Sequence, residues 1–204
     1  MMAGAVGKAA ERRRRPFRLL GLCLVALMVV VIAGLAVYIA RLPVPEYEQV
    51  RSGYRASYIT LLDRDGAVLE RVRNDFHERR DNWTRLGEIS VALVSAVLQS
   101  EDRRFYSHAG VDVLALGAAV RDRLTGRSVR GSSTLTMQLA GMLDERDGRN
   151  GRRTLAQKAR QMVQALAMEL HWSKSQILEA YLNLVRWPGE LSGVTAAARS
   201  LFGK

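Results

Sequence analysis

An unbroken apolar run from Leu19 to Ala40, LLGLCLVALMVVVIAGLAVYIA, constrains this chain more than any other feature. Wound as a helix at 1.5 Å per residue, it is long enough to cross the roughly 30 Å hydrocarbon core of a bilayer. A cleaved signal peptide needs a shorter apolar region, about 7–15 residues, ending in a small-residue cleavage site. Tyr38 and Arg41 do not supply one. Residues 19–40 are therefore expected to form one transmembrane helix. Just before it lie Lys8, Arg12, Arg13, Arg14, Arg15 and Arg18, against Glu11 alone. The positive-inside rule makes residues 1–18 a cytoplasmic tail and sends everything after the span to the other side.

The same placement accounts for much of the formal charge of +11. An arginine cluster beside a spanning helix reads as a topology signal, so no nucleic-acid partner is expected. The only cysteine, Cys23, lies within the span. No intramolecular disulfide is available, and the outer part must be held by its core even in an oxidising compartment. At 204 residues there is room for one such domain.

Pro43 and Pro45 make residues 41–49 read as extended chain, and 41–53 as a linker. The domain is assigned to 54–204. It opens with a strand, turn, strand pattern over 58–62, 63–66 and 67–72, which predicts a small β hairpin. From Glu88 the apolar spacing is helical. Ile89, Leu93 and Val97 mark one helix, and Val113, Leu116, Val120 and Leu124 a second that stops near Gly126. Leu135, Leu139 and Met142 mark a third. Thr154 with Gln157, and Ser173 with Gln176, have the spacing of capping boxes that open two more. The soluble part is mainly α.

Glu101 falls four residues after Val97 and eight after Leu93, on the apolar face of its helix. A carboxylate there is expected to be partly desolvated, which raises its pKa toward the range useful to a general base. A glutamate at a frayed helix end, paired with Arg103 or Arg104, fits the same pattern. Asp102 points about 100° away from its neighbour, so the two need not form a glycosidase pair. It reads as a brace. His108 has no second histidine at metal-ligand spacing. The run RGSSTLTMQ over 130–138 places glycine and hydroxyls before an apolar helix, which suits an anion or simply an N-cap. Arg152, Arg153, Lys158 and Arg160 add a cationic edge that suits phosphate oxygens or a solvated face.

The run EDRRFYSHAGVD over 101–112 resembles the first motif of glycosyltransferase family 51, the peptidoglycan glycosyltransferase domain. Further runs resemble the family's later motifs in order: GSSTLTMQL (131–139), RTLAQKARQ (153–161), SKSQILEAYLN (173–183) and GVTAAARSLFGK (193–204). The MetGln pair after Thr136, and Gln161 where many members carry glutamate, are most similar to the penicillin-binding protein 1C subgroup, as is the hairpin.

The resemblance implies a lysozyme-like α fold with a small membrane-embedded lobe. It also implies a reaction on lipid II, the lipid-linked disaccharide-pentapeptide, and a growing glycan chain. Glu101 is then the general base. Asp102, Phe105, Ser133, Thr134, Gln138, Arg153, Lys158, Arg160 and Gln161 are expected at the substrate site. A divalent metal such as Mg or Mn is an implied cofactor with no site evident in the sequence. The implied location is a bacterial inner membrane, single-pass, with the domain periplasmic and other cell-wall synthesis proteins as partners. Two departures stand out. Gly141 occupies the position where a Lys or Arg usually follows the second-motif glutamine, and the run ends at PheGlyLys where family members continue with further helices. The domain is thus expected to be C-terminally incomplete, with no transpeptidase domain among these residues. A non-catalytic module binding lipid II or wall-synthesis proteins is one rival reading, and a glycan-cleaving hydrolase of similar fold is another.

Overall fold

The computed structural model describes residues 3–127, 131, 133–144 and 154–203, with side chains described from residue 21 onward. The chain divides into two units, Met1–Leu42 and Pro43–Lys204. The first is a single helix, α1 (Ala3–Ala40), whose Gly21–Ala40 portion is long and apolar enough to cross a membrane.

The second unit begins earlier than the prolines suggest. Residues 41–53 do not form an extended linker throughout, because Tyr47–Gly53 make a short helix, α2. Gln49 Oε1 accepts the Glu46 N–H at 3.3 Å, a local closure that the flanking prolines masked in the sequence. Tyr47 is buried, edge-on to Trp83 and to Trp172 with ring centroids 6.3 and 5.4 Å away. Trp172 Nε1 donates to the Pro45 carbonyl at 3.0 Å.

The hairpin forms as expected from β1 (Tyr58–Leu62) and β2 (Val68–Arg73), antiparallel with Tyr58 opposite Arg73 and a bulge at Leu61/Leu62. Most of its apolar side chains, among them Ile59, Leu61, Leu69 and Val72, are exposed. A second small sheet pairs β3 (Arg79–Arg80) in parallel with β4 (Leu191–Ser192). Buried Ser57 joins the two sheets, its N–H donating to the Arg80 carbonyl and its Oγ to that of Glu78.

The remainder is helical: α3 (Val91–Glu101), α4 (Val113–Leu124), α5 (Leu135–Leu143), α6 (Leu155–His171), α7 (Lys174–Leu184) and α8 (Val194–Phe202). Thr154 and Ser173 make the capping boxes their spacing predicts. Helix α5 packs against α6 and α7 and is the centre of the core. Its residues Leu135, Thr136, Met137, Leu139 and Ala140 are all buried, as fits a helix apolar on nearly every side. Around it pack Phe105, Met168, Trp172, Ile177, Leu178, Leu182 and Val194. Helices α3 and α4 bury no residue completely. Leu93, Val94, Val97 and Leu98 lie against the core edge, whereas Val113, Leu114, Val120 and Leu124 of α4 face outward.

Two glycines hold close approaches. Gly110 (φ +86°) brings the end of the first motif against α6, and a Cβ there would lie 2.6 Å from the Ala165 carbonyl oxygen. Gly193 (φ +83°) opens α8 against α7, with a Cβ placed 2.7 Å from the Asn183 oxygen. Only glycine meets both the positive φ and the space.

Candidate active site

Helix α3 ends at Glu101 because the next residue leaves helical geometry: Asp102 has φ −157° and ψ 76°. This break sends adjacent carboxylates to different places. Glu101 is exposed, so the sequence expectation of partial desolvation is not met. The helical period did place it on the apolar face, but that face is only half covered and its last turn lies open. Glu101 is not paired with the neighbouring arginines either. Arg104 binds Asp112, and Arg103 Nε donates to the Gln99 carbonyl.

What holds Glu101 comes from α5 and α7. Gln138 Nε2 donates to Glu101 Oε2 at 3.0 Å, and Tyr181 OH donates to Gln138 Oε1 at 3.3 Å. Tyr181 is buried, and burial followed by the Glu101 charge pushes its phenol up to about 12. A phenol that keeps its proton is a fixed donor. It sets the orientation of the Gln138 amide, which turns its N–H toward the carboxylate. Among the described residues Oε1 of Glu101 takes no hydrogen bond, leaving one oxygen available to a substrate hydroxyl.

Asp102 turns inward, with a side chain 3 % exposed. Its Oδ2 accepts the Leu135 N–H at 3.0 Å, the first free donor of α5, and both oxygens lie within 3.1 Å of His108 Nε2. Thr134 caps the same helix end by accepting the Met137 N–H, and its hydroxyl donates to the Gly110 carbonyl. Asp112 caps α4 through the Ala115 N–H and pairs with Arg104. Burial opposes ionisation of Asp112, but the Ala115 N–H and the Arg104 guanidinium outweigh it and hold the carboxyl below its usual range.

The residues expected at the substrate site therefore divide. Phe105 is buried, edge-on to Tyr106 and His108, with Lys174 Nζ 4.4 Å from its ring centroid. Asp102, Thr134 and Gln161 are also buried. These four belong to the frame behind the site rather than to a substrate-facing surface, because their types, read singly, do not reveal that the first motif folds under α5. Ser133 is half-buried beside the cap. Gln138 is half-buried and faces Glu101. Lys158 is half-buried in the first turn of α6, and Arg160 pairs with Asp144 at 2.8 Å, a partner that no spacing in the chain indicates. Arg153 lies outside the described residues. The sequence reading missed Tyr181, whose only signal was its place on the apolar face of α7.

Asp102, His108 and Asp112 are the one group among the described residues with metal-ligand chemistry at close range. They do not fit a resident divalent cation. Asp112 already holds the Arg104 guanidinium and Asp102 holds an N–H and an imidazole, so a cation would have to displace a positive charge already seated there.

A family model described as Transglycosylase matches residues 65–204, and the chain belongs to that family. Among curated relatives, the biosynthetic peptidoglycan transglycosylase of Rhizobium meliloti (strain 1021) is 37% identical over 121 residues, which is 59% of this chain and 50% of the relative. That of Pseudomonas entomophila (strain L48) is 41% identical over 122 residues, 60% of this chain and 50% of the relative. Penicillin-binding protein 1A of Mycobacterium tuberculosis is 31% identical over 145 residues, covering 71% of this chain and 17% of the relative. The chain spans about half the length of the transglycosylases it matches.

Proposed function

We propose that the chain is a peptidoglycan glycosyltransferase that extends glycan strands from lipid II, with Glu101 as general base. The observation that carries this reading is the relay Tyr181, Gln138, Glu101, which holds one carboxylate oxygen and leaves the other free. In the reaction the 4-hydroxyl of the acceptor sugar loses its proton to Glu101 as its oxygen attacks the anomeric carbon of the growing chain. The bond from that carbon to the polyprenyl diphosphate breaks, the configuration inverts, and the diphosphate leaves with its electron pair. Lys158 and Arg153, with Arg160 beside Asp144, supply cationic charge for the leaving group. Ser133 offers a hydroxyl at the same end of α5.

A two-carboxylate glycan hydrolase is less well supported, because Asp102 is committed to His108 and the α5 N-terminus and cannot serve as the partner of Glu101. A lipid-borne substrate agrees with the spanning helix and with the outward apolar side chains of α4. We place the protein in a bacterial inner membrane, with residues 1–18 cytoplasmic and the domain periplasmic, where lipid II, the growing strand and other wall-synthesis proteins would meet it. A reporter fused to the C-terminus should be active only in the periplasm.

Glu101→Gln preserves shape but cannot take a proton. In the full-length protein, lipid II polymerisation should fall by about 10²- to 10⁴-fold while lipid II binding changes little. Equal turnover in the glutamine variant would remove Glu101 from the mechanism. Binding without polymerisation by the wild type would favour the non-catalytic reading and turn attention to Gly141.

A further inference from the structure

A surface pocket of about 190 Å³ lies where the two small sheets meet α8, lined by Tyr58, Arg79, Asp81, Leu191, Arg199 and Ser200, with Ala196 behind them. None of these residues belongs to the Glu101 relay. Asp81 is 5 % exposed and holds two guanidiniums, Arg71 Nη2 at 2.5 Å and Arg199 Nε at 2.9 Å. Glu190 likewise is shared by Arg73 at 2.8 Å and Arg79 at 3.4 Å, and its carboxyl is held below its usual range by these arginines. Four guanidiniums thus share two carboxylates.

One arginine would neutralise each carboxylate, so the second on each leaves an excess of positive charge around the pocket. Arg79 and Arg199, about half exposed, bring that excess to the pocket lining. The arrangement is built rather than incidental. Asp81 fixes Arg199, and Arg71 lies against the Tyr58 ring, 4.7 Å from its centroid, with a buried Nε that has no hydrogen-bond partner. Arg79 is fixed through its backbone, whose N–H donates to the Glu190 carbonyl. Guanidinium forks held by carboxylates favour a planar anion, and the field of such a concavity is stronger than that of arginines on an open surface.

We propose that this pocket binds a terminal carboxylate carried on a small apolar body, such as the C-terminal end of a short peptide. Arg79 and Arg199 would receive the carboxylate, with the Ser200 hydroxyl as a further donor. Leu191, Ala196 and the Tyr58 ring would meet methyl-sized groups. The volume lies below the roughly 300–1,000 Å³ of pockets for drug-sized ligands and suits one or two residues. The assignment is independent of the role given to Glu101.

The test is calorimetric titration of the full-length protein in detergent micelles with acetyl-alanyl-alanine, its C-terminal amide, and inorganic phosphate. Saturable binding of the free acid is expected, with the amide weaker by about tenfold or more. Arg79→Gln should weaken the acid by a similar factor, since its backbone bond to Glu190 survives and the fold need not change. Ser200→Leu, which narrows the pocket without touching an ion pair, should also weaken it. Glu101→Gln should leave it unaltered. Equal binding of acid and amide, no saturable binding of the acid, or indifference to both pocket variants would overturn the proposal. Arg79-dependent binding of phosphate alone would overturn the carboxylate assignment and identify the ligand as a phosphate.

Discussion

Replacing Glu179 by glutamine tests whether one carboxylate joins the start of the unit that begins at Pro43 to its core. Glu179, on α7, accepts hydrogen bonds from Tyr47 OH at 2.5 Å, Trp83 Nε1 at 2.7 Å and the Leu86 N–H at 2.8 Å. The first two converge on Oε1 and the third uses Oε2. A glutamine can keep its oxygen toward Tyr47 and Trp83, but its amide nitrogen then faces the Leu86 N–H, donor against donor. One bond to a charged acceptor is lost and two others lose their charge assistance. With charged hydrogen bonds contributing about 1.5–3 kcal/mol, the variant should be less stable by about 2 kcal/mol, or about 4–8 °C in Tm for a unit of this size.

The pH dependence supplies a second check. Burial alone would raise the Glu179 pKa, but the hydrogen bonds from Trp83, Tyr47 and Leu86 outweigh it and the net shift is downward. A carboxyl lowered on folding contributes its stability above the unfolded value, near 4.3, and loses it as pH falls through the folded value. The Tm gap between wild type and Glu179→Gln should therefore be full at pH 7 and narrow steadily below about pH 4. Circular dichroism melts at both pH values measure it. A gap under about 1 °C at neutral pH, or one that does not shrink in acid, would refute the account.

Other expectations follow from the same contacts. Gly110→Ala puts a Cβ 2.6 Å from the Ala165 oxygen at a φ disfavoured for alanine, and should lower stability by at least about 1–3 kcal/mol in thermal melts. Tyr181→Phe removes the donor that orients Gln138, so polymerisation should fall several-fold with lipid II binding little changed; an unaltered rate would detach Tyr181 from the site. Asp102→Asn can keep an oxygen toward the Leu135 N–H, but its amide nitrogen then replaces Oδ1 against His108 Nε2 and the charge of the acceptor is lost, which should cost about 1–3 kcal/mol of stability, read as a lowered urea midpoint.

The elements of the fold were legible where local chemistry decides them. The hairpin, the helices from α3 to α7 and the boxes at Thr154 and Ser173 follow from period and capping, which act within a few residues. Helix α2 was hidden because Pro43 and Pro45 dominate the reading of a segment whose closure, Glu46 to Gln49, lies just beyond them. At the site, the resemblance pointed to Glu101 and Gln138, but no period could show that the face carrying Glu101 is left uncovered. Asp102, Phe105 and Thr134 read as polar or aromatic candidates and turned out to be the frame, since their partners Leu135, Lys174 and Gly110 come from segments brought together only by the tertiary fold. The roles of Tyr181 and Asp81 were not legible for the same reason: a relay or a shared ion pair is a property of the packing, not of any window of sequence.

The contacts at Pro45 and Tyr47 also have a mechanical meaning. Tension arriving along the chain from α1 meets the Trp172 bond to the Pro45 carbonyl and the Tyr47 bond to Glu179 before it can reach the hairpin or α3. Both lead directly into the start and middle of the α7 region, so a pull is delivered to the hydrophobic core. The segment bearing Glu101 is further along the chain and is fastened through Asp102 and Gln138 to α5, so it meets the load only after those two bonds. Under load the docked segment at residues 45–47 should yield first, and the geometry around Glu101 should outlast it.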